Sequence, residues 1–547
     1  MYPDEFGYWA SAAKAVGYDW SEVAAMGSYY SFGYSLLLIP ILKLFTGGVR
    51  AYRAAITVNM ILMCGGFLLL KFITGKLFPE ANRIKRIFIS GIAVFYPAWI
   101  FYMQMTLAEA LLFFLYTAIV YLFICFIQRP RIMTAVLLAV CFAYMYSVHM
   151  RSVGIVIAGL FTLLFWGLFN TKQKKAMLAV IGALGLAGLT VVIMKRNVYT
   201  SVFSGADAEK LAVNDYISQV WKIKEILTPY GFLTFIKEII AKVFYLGMAS
   251  YGIVYWALGW CIRETSHLIK NFGDKKESIV DVKTWIAVFL SLSFIGEVLI
   301  CSIYMHGSAK IDCLVYGRYL EFIVPVFMII GISVMLQSRK LFLETLTMGM
   351  ISGLMLFPIY SVIEKEKMEG IRGYFVVGIS YLLKEDNFDF YSFFRNAWFL
   401  GFFLMLLIAG VIWASIKIRN AEWLLGIIIV IEIVSGLLVS VRYTYKVNEV
   451  SFVDLRVAEK ILENRSAETK VVYLDEGAPE FIDFQQMQLP DIPIHVIKDE
   501  AEVQIEALGD YLIVCRDTKR KEEFERIYDK CITTNTFILY YYSDSQQ

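Results

Sequence analysis

The sequence predicts a polytopic α-helical membrane protein of about twelve spans, followed by a small α/β domain. Hydrophobic residues make up 59% of the 547 positions and charged residues only 18%, whereas a soluble globular chain is about half apolar and a quarter charged. The mean hydropathy of +0.61 indicates the same class. Stretches of roughly 20 mostly apolar residues, the length that crosses a bilayer, lie near positions 52–74, 87–104, 108–127, 132–148, 153–169, 176–194, 242–262, 284–305, 320–337, 341–361, 393–416 and 422–442.

The connections between these spans alternate in charge. TGKLFPEANRIKR, QRPR, NTKQKK, QSRK and KIRN are rich in Lys and Arg, as is the connection beginning RETSHLIK, which places them in the cytoplasm. The intervening connections, among them residues 195–241 and 362–392, then face outside, as do both ends of the chain. We therefore expect a multi-pass protein of the cell (plasma) membrane, with a transmembrane domain over residues 51–442.

Residues 1–50 precede the first span and begin MYPDEFGYWA, where Asp4 and Glu5 stand side by side. The stretch SFGYSLLLIPILKLF is too short for a span and predicts a juxtamembrane helix at the outer interface. Since the orientation exports residues 1–50 and no apolar segment precedes them, we expect one further span upstream of Met1. Asp4 and Glu5 would then open the first outer loop.

The tail, residues 443–547, is less apolar and predicts an extracytoplasmic α/β domain. KVVYLDE, IPIHVIKD, YLIVCRD and FILYYYSD read as short strands, and SFVDLRVAEKILENR and KRKEEFERIYDKC read as amphipathic helices. The alternation of strands with helices is typical of an α/β fold. We expect Cys515 to be a buried strand residue and Cys531 a helix residue, rather than a disulfide pair.

Ionisable residues cluster at the outer ends of the predicted spans, where they mark function by default. The carboxylates Asp4, Glu5 and Glu109 can supply a general base for an acceptor hydroxyl or amine. Arg151 and Arg318 can hold a lipid phosphate. The further pocket candidates are His149, Tyr316, Tyr319 and Glu321.

Composition also excludes some partners and leaves simpler roles open. Positive charge is scattered between spans at a net charge of +3, so no nucleic-acid partner is expected, and the lack of a Gly-rich phosphate loop argues against a nucleotide donor. Asp4 could instead cap the first helix, and Glu109 could be an interfacial residue at a span end. The two arginines could snorkel to lipid headgroups, and His149 could be a packed histidine.

The order of these features resembles the GT-C superfamily of membrane glycosyltransferases. The chain is most similar to bacterial relatives of protein O-mannosyltransferases and of the lipid A aminoarabinose transferase. The resemblance lies in PDEFGYWASAAKAV, SYYSFGYSLLLIPILKLFTGGVRAYRAAITVNMIL, FYPAWIFYMQMTLAEALLFFLYTA, VHMRSVGIVIAGLF and YGRYLEFIVP. It covers about the first 340 residues at motif level, and the remainder agrees in architecture.

The resemblance implies a polyprenyl-phosphate-linked sugar as donor and an inverting transfer on the outer side of the membrane. Asp4 would be the base that activates the acceptor, supported by Glu5 and Glu109, and Arg151 and Arg318 would bind the donor phosphate. The acceptor stays open between a lipid, a protein and a cell-wall glycan. Metal dependence varies across the superfamily, so a divalent metal stays possible and no metal site is assigned.

Two other classes of function compete with the enzyme. A flippase or transporter for a lipid-linked glycan would be expected to have internal repeats and charges at the membrane midplane, whereas these charges cluster at one mouth, with Glu297 the main exception. A non-catalytic surface assembly protein built around the tail would not need paired acidic residues beside the membrane. The enzyme is therefore the favoured hypothesis and the transporter its alternative.

Overall fold

The computed structural model describes residues 2–27, 30–169, 173–203, 205, 219–271, 281–384, 388–466, 468–476, 482–498 and 509–542. Its helices α1 to α24 span Pro3–Val16, Ser21–Met26, Ser35–Leu44, Gly48–Leu77, Arg83–Val94, Pro97–Tyr102, Ala108–Gln128, Ile132–Val148, Val153–Phe169, Lys174–Val202, Gln219–Ile226, Pro229–Ala249, Ile253–Asn271, Val282–Met305, Ile311–Val315, Val324–Met335, Leu341–Leu354, Leu356–Lys365, Phe390–Lys417, Gly426–Ser440, Lys446–Phe452, Leu455–Glu463, Ile482–Gln488 and Lys521–Ile527.

Short 3-10 and π turns and five strands complete the part of the chain that the structure describes. The 3-10 turns are Met150–Ser152, Gly317–Tyr319, Glu321–Ile323, Gly373–Phe375, Val377–Leu382 and Glu422–Leu425, and one π turn is Val441–Tyr445. Strands β1 to β5 are Val471–Asp475, Ile494–Lys498, Tyr511–Cys515, Lys530–Thr533 and Phe537–Tyr541. The predicted class, a mostly helical membrane protein with a small sheet near its C-terminal end, is therefore confirmed.

Nine helical segments of the described chain are long and apolar enough to cross a membrane, so the expected number of twelve is not confirmed. Three predicted spans account for the difference. The span at 132–148 forms α8, whose 17 residues are short for a crossing. The span at 87–104 is divided where Pro97 begins α6. The span at 242–262 is divided between α12 and α13, where Gly252 has a left-handed φ of +78°.

The five strands form one mixed sheet in the order β2-β1-β3-β5-β4. The β1–β2 and β1–β3 pairs are parallel, and β3–β5 and β4–β5 are antiparallel. Every residue of β3 and β5 is buried, as expected for strands that are covered on both faces and read as continuous apolar runs.

One strand of this sheet corrects the sequence prediction. The segment KRKEEFERIYDKC was expected to be helical throughout, but α24 ends at Ile527 and Lys530–Thr533 pairs with β5 as an edge strand. Cys531 is therefore an exposed strand residue, and the helix expected there is wrong. Cys515 is buried in β3 as predicted, and no disulfide joins it to Cys531.

The sheet packs against the N-terminal segment and so lies beside the first helices. The indole Nε1 of Trp20 donates to the carbonyl of Pro490 at 2.9 Å. Glu22 accepts from the backbone N–H of Val496 at 2.8 Å and lies 2.9 Å from Nδ1 of His495. The first helices are thus fixed by the C-terminal sheet as well as by the transmembrane helices.

Candidate active site

Asp4 and Glu5 lie in the first turn of α1, where Tyr2 occupies the N-cap position. The backbone N–H of Tyr2 donates to Oε1 of Glu5 at 2.6 Å. Because Tyr2 holds the cap position, the alternative that Asp4 caps this helix is wrong. Asp4 lies instead one residue inside the first turn, where the helix dipole favours a carboxylate and its side chain contacts other elements.

Glu5 is fully buried and joins three parts of the chain. Besides the N–H of Tyr2, its carboxylate accepts the hydroxyl of Tyr52 at 2.8 Å. It also accepts the backbone N–H and the hydroxyl of Thr106, at 2.7 and 2.6 Å. With four donors on two oxygens, Glu5 fixes the start of α1 against α4 and the segment before α7.

Replacing Glu5 with glutamine is expected to destabilise the fold. The amide nitrogen of glutamine is a donor, and the groups around Glu5 are also donors. At least one of these buried groups therefore loses its acceptor, which costs about 1–3 kcal/mol of folding stability. The thermal midpoint of the detergent-purified protein measures this, with exposed Glu364→Gln as the matched control. An unchanged midpoint together with lost activity would return Glu5 to the catalytic role that the sequence predicts.

Arg151 and Arg318 both lie in tight turns between helices. Arg151 belongs to the 3-10 turn between α8 and α9. Arg318 lies in the 3-10 turn between α15 and α16. Gly317 is required before it, since a Cβ at that position would come within 2.2 Å of the ring of Tyr245. The turns bring both guanidinium groups towards the first turn of α1.

Four of the predicted side chains form one continuous chain of ion pairs. Oε1 of Glu109 accepts from Nη2 of Arg151 and from Nε of Arg318, each at 2.8 Å. The Nη1 of Arg318 donates in turn to Oδ2 of Asp4. Glu109 and Arg151 are each only 1% exposed, whereas 34% of the Asp4 side chain is exposed. The chain therefore runs from a buried end at Arg151 to an accessible carboxylate at Asp4.

The buried end of this chain keeps unused hydrogen-bonding capacity. Within the ranges that the structure describes, Nε and Nη1 of Arg151 and Oε2 of Glu109 have no hydrogen-bond partner. Buried polar groups in folded proteins are almost always paired, so such groups call for an explanation. The unpaired Nε and Nη1 of Arg151 could donate hydrogen bonds to the oxygens of a phosphate.

The aromatic candidates pack around the arginines. The guanidinium of Arg151 lies 4.1 Å above the ring of Tyr319, and the Tyr316 and Tyr319 rings meet edge to face at 4.7 Å. His149 contacts Tyr319 in the same manner at 5.6 Å. Burial, and then the charge of Arg151, lower the pKa of His149 well below its ordinary value, so its ring is neutral at physiological pH.

Glu321 lies apart from the ion-pair chain. It is fully buried and accepts from the hydroxyl of Tyr245 and from the backbone N–H of Gly378, the latter at 3.3 Å. These contacts join α12 to the 3-10 turn Val377–Leu382. Of the nine site residues predicted from the sequence, Glu5 and Glu321 thus belong to separate networks, and the other seven lie together.

A cavity of about 100 Å³ opens beside Asp4 and Arg318. Its remaining lining is mostly aromatic and apolar and consists of Tyr2, Pro3, Phe101, Tyr102, Met105, Leu107 and Tyr374. A polar patch of one carboxylate and one guanidinium in an otherwise apolar wall is typical of a binding site for a small polar group.

Several tyrosines at this site were not predicted. The hydroxyl of Tyr30 donates to Oδ1 of Asp4 at 2.7 Å. Burial, and then the Asp4 carboxylate, raise the pKa of Tyr30 well above its ordinary value, so this phenol stays protonated and donates. Tyr2, Tyr102 and Tyr374 line the cavity. For Tyr30, the sequence signal was the tyrosine-rich stretch SYYSFGYS. Aromatic residues of this kind are also expected in an ordinary aromatic belt at the membrane interface.

Within the ranges that the structure covers, no group of three or more His, Cys, Asp and Glu side chains is placed to hold a metal ion. The ion-pair chain uses arginines where a metal site would present further carboxylates. The residues present therefore fit direct phosphate binding by guanidinium groups, and no step is assigned to a metal.

Comparison with known proteins identifies the fold. No family model matches the chain, and no curated protein matches its sequence. The crystal structure of ArnT from Cupriavidus metallidurans bound to undecaprenyl phosphate is similar over 100% of this chain and 94% of that one, with a TM-score of 0.52 and 11% identity. The apo form of ArnT matches over 99% and 93%, with a TM-score of 0.53 and 12% identity.

These neighbours place the chain in a structural class. It has the fold of the GT-C membrane glycosyltransferases, so the resemblance inferred from the sequence motifs is confirmed at the level of fold. ArnT is one solved structure with this fold. At identities of 11% and 12% the likeness identifies the architecture, and the activity must be argued from the site itself.

Proposed function

We propose that this protein is an integral-membrane glycosyltransferase that transfers a sugar from a polyprenyl-phosphate donor to an acceptor, with inversion at the sugar. The observation that carries the proposal is the chain Asp4–Arg318–Glu109–Arg151, which ends at a cavity. It supplies a partly exposed carboxylate and a guanidinium side by side, and both are needed for this transfer. The likeness to ArnT, which has been crystallised with undecaprenyl phosphate, supports a lipid-phosphate donor.

The roles follow from position and charge. Arg318 lines the cavity and would bind the donor phosphate, while Arg151 acts through their shared partner Glu109 and the aromatic wall. Asp4 would accept the proton of the acceptor hydroxyl or amine. A bond then forms between the acceptor atom and the anomeric carbon, and the bond from that carbon to the phosphate oxygen breaks. Its electron pair leaves on the polyprenyl phosphate, whose charge Arg318 stabilises.

The function is tested with the purified full chain in lipid nanodiscs and a panel of polyprenyl-phosphate sugars. Release of polyprenyl phosphate that depends on an added lipid, peptide or glycan acceptor is the expected result. The Arg318→Ala variant serves as the inactive reference. Movement of the intact glycolipid between leaflets without sugar transfer would instead support the flippase alternative.

We also propose that the site faces the outside of the cell membrane, together with residues 1–50 and an extracytoplasmic domain over 443–547. The basic connections between spans support this orientation. In a cysteine-free background, Asp19→Cys is expected to react with a membrane-impermeant maleimide in whole cells, and Arg83→Cys only after lysis. Labelling of Arg83→Cys in intact cells would place the site in the cytoplasm.

A further inference from the structure

A second cavity of about 110 Å³ lies outside the ion-pair chain. Its polar lining consists of Glu225, Glu238, Glu366, His306, Tyr230, Thr234 and Ser308. Of the described residues that line it, none is a Lys or an Arg. The wall therefore has three carboxylates against at most one imidazolium, which favours a cationic ligand over an anion.

His306 is the feature that marks this cavity as a binding site. Its Nδ1 lies 3.1 and 3.0 Å from the two carboxylate oxygens of Glu238. Since a carboxylate offers only acceptors, Nδ1 carries a proton, and in the tautomer protonated at Nδ1 the other ring nitrogen, Nε2, is an acceptor. His306 is 4% exposed, and in the described part of the chain its Nε2 has no hydrogen-bond partner. A ligand hydroxyl or N–H would satisfy it.

The other carboxylates lie at the rim, where they are accessible. Glu225 and Glu366 are exposed, and Glu366 accepts the hydroxyl of Tyr230. Lysines close to the rim are engaged with other groups, since Lys222 donates to the carbonyl of Tyr304 and Lys365 lies 3.9 Å above the Tyr230 ring. Among the described residues, these two rim carboxylates thus form no ion pair.

Two chain segments connect the two cavities, because each segment contributes lining residues to both. Residues 306–309 line the second cavity and lead through α15 to Arg318 in the first. Glu366 and Met368 line the second cavity, and the chain leads from them to Tyr374 in the first. Backbone bonds join the segments, from Glu369 N–H to the Ala309 carbonyl at 2.9 Å and from Ile311 N–H to the Gly370 carbonyl at 3.0 Å.

We propose that this second cavity binds a primary ammonium group that neighbours a hydroxyl, with the ammonium between Glu225 and Glu366 and the hydroxyl donating to Nε2 of His306. We assign this ligand to the acceptor of the sugar, and that assignment rests on the proposed function. An amino sugar and an ethanolamine headgroup share this chemistry. The cavity volume suits a few heavy atoms, so it would hold the amine end of a larger molecule.

The test is direct binding of small probes to the full chain in nanodiscs made without amine-bearing lipids. Ethanolamine and D-glucosamine are the probes, and N-acetyl-D-glucosamine is the neutral control. We expect binding of at least one amine, with little or no binding of the acetylated sugar. Preference for glucosamine identifies an amino sugar as the source, and preference for ethanolamine identifies a lipid headgroup.

Variants separate this site from the proposed donor site. Glu225→Gln combined with Glu366→Gln removes two exposed charges and is expected to weaken amine binding about tenfold or more without lowering the thermal midpoint. Glu364→Gln is the matched control, because Glu364 is an exposed carboxylate in the last turn of α18 that does not line the cavity. Arg318→Lys, measured below its thermal midpoint, should weaken donor binding and leave amine binding intact, so failure of one proposal is distinguishable from failure of the other.

Three outcomes would overturn the proposal. One is equal binding of the amine and its acetylated form, and another is undiminished binding in the double variant. The third is a site that takes up Zn²⁺ alone and excludes the amines. His306→Gln provides a second check, because it removes the Nε2 acceptor while Glu225 and Glu366 remain, and it should weaken the hydroxyl-bearing amines more than ammonium ion itself.

Discussion

Arg318→Ala is expected to abolish tight donor binding and to destabilise the fold. Arg318 donates to both Asp4 and Glu109, and it is the guanidinium that lines the first cavity. Loss of a charge-assisted hydrogen bond to phosphate costs about 1.5–3 kcal/mol, or roughly 10- to 100-fold in affinity. The cost in stability should be below the about 3–5 kcal/mol of a fully broken buried ion pair, because Glu109 keeps Arg151 as its partner and Asp4 is 34% exposed.

Arg318→Lys is expected to fall between alanine and the native residue. The two carboxylates are held by different nitrogens of one planar group, and the single ammonium of lysine cannot reproduce both contacts. Affinity for undecaprenyl phosphate and the thermal midpoint are measured together on all variants. Arg395→Ala, which removes an exposed arginine whose side chain bonds only Ser392 in the described chain, is the control for loss of charge alone. Unchanged lipid affinity with a lowered midpoint would make Arg318 purely structural.

The sequence predicted the members of the ion-pair chain because the chemistry needs few residue types and the topology gathers them at one mouth. The sequence could not tell which of the adjacent carboxylates, Asp4 or Glu5, faces the cavity and which is buried in the fold. Consecutive residues of a helix point about 100° apart, so Asp4 faces Arg318 while Glu5 faces Thr106 and Tyr52. The orientation of each carboxylate depends on how α1 packs against the other helices, and the order of two acidic residues does not determine that packing.

Other features depend on contacts that periodicity does not contain. The spans at 87–104 and 242–262 are apolar enough to cross, yet both are broken, by Pro97 in one case and by the left-handed Gly252 in the other. Glu321 follows Arg318 by three residues, but successive 3-10 turns direct it to Tyr245 instead. Hydropathy measures the composition of a segment, and these outcomes are decided by backbone geometry and tertiary packing.

Asp4→Asn is expected to cut the rate of transfer by about 100-fold or more while leaving donor binding intact. Asparagine keeps the shape of the side chain and one oxygen that can accept from Tyr30, but it cannot take up the acceptor proton. Removal of a negative charge beside the phosphate site should not weaken an anionic donor. Because 34% of the Asp4 side chain is exposed, the thermal midpoint should fall less than in the Glu5 or Arg318 variants.

The initial rate with a polyprenyl-phosphate sugar, the affinity for undecaprenyl phosphate and the thermal midpoint are compared for Asp4→Asn, Asp4→Ala and Asp19→Asn. Asp19 is an exposed aspartate just beyond α1 that bonds Ser21, and its change should alter none of the three. Equal loss of rate in both Asp4 variants, at unchanged donor affinity, identifies a missing base rather than a missing contact. A native rate in Asp4→Asn would transfer the role of base to Glu109, whose Oε2 has no hydrogen-bond partner in the described chain.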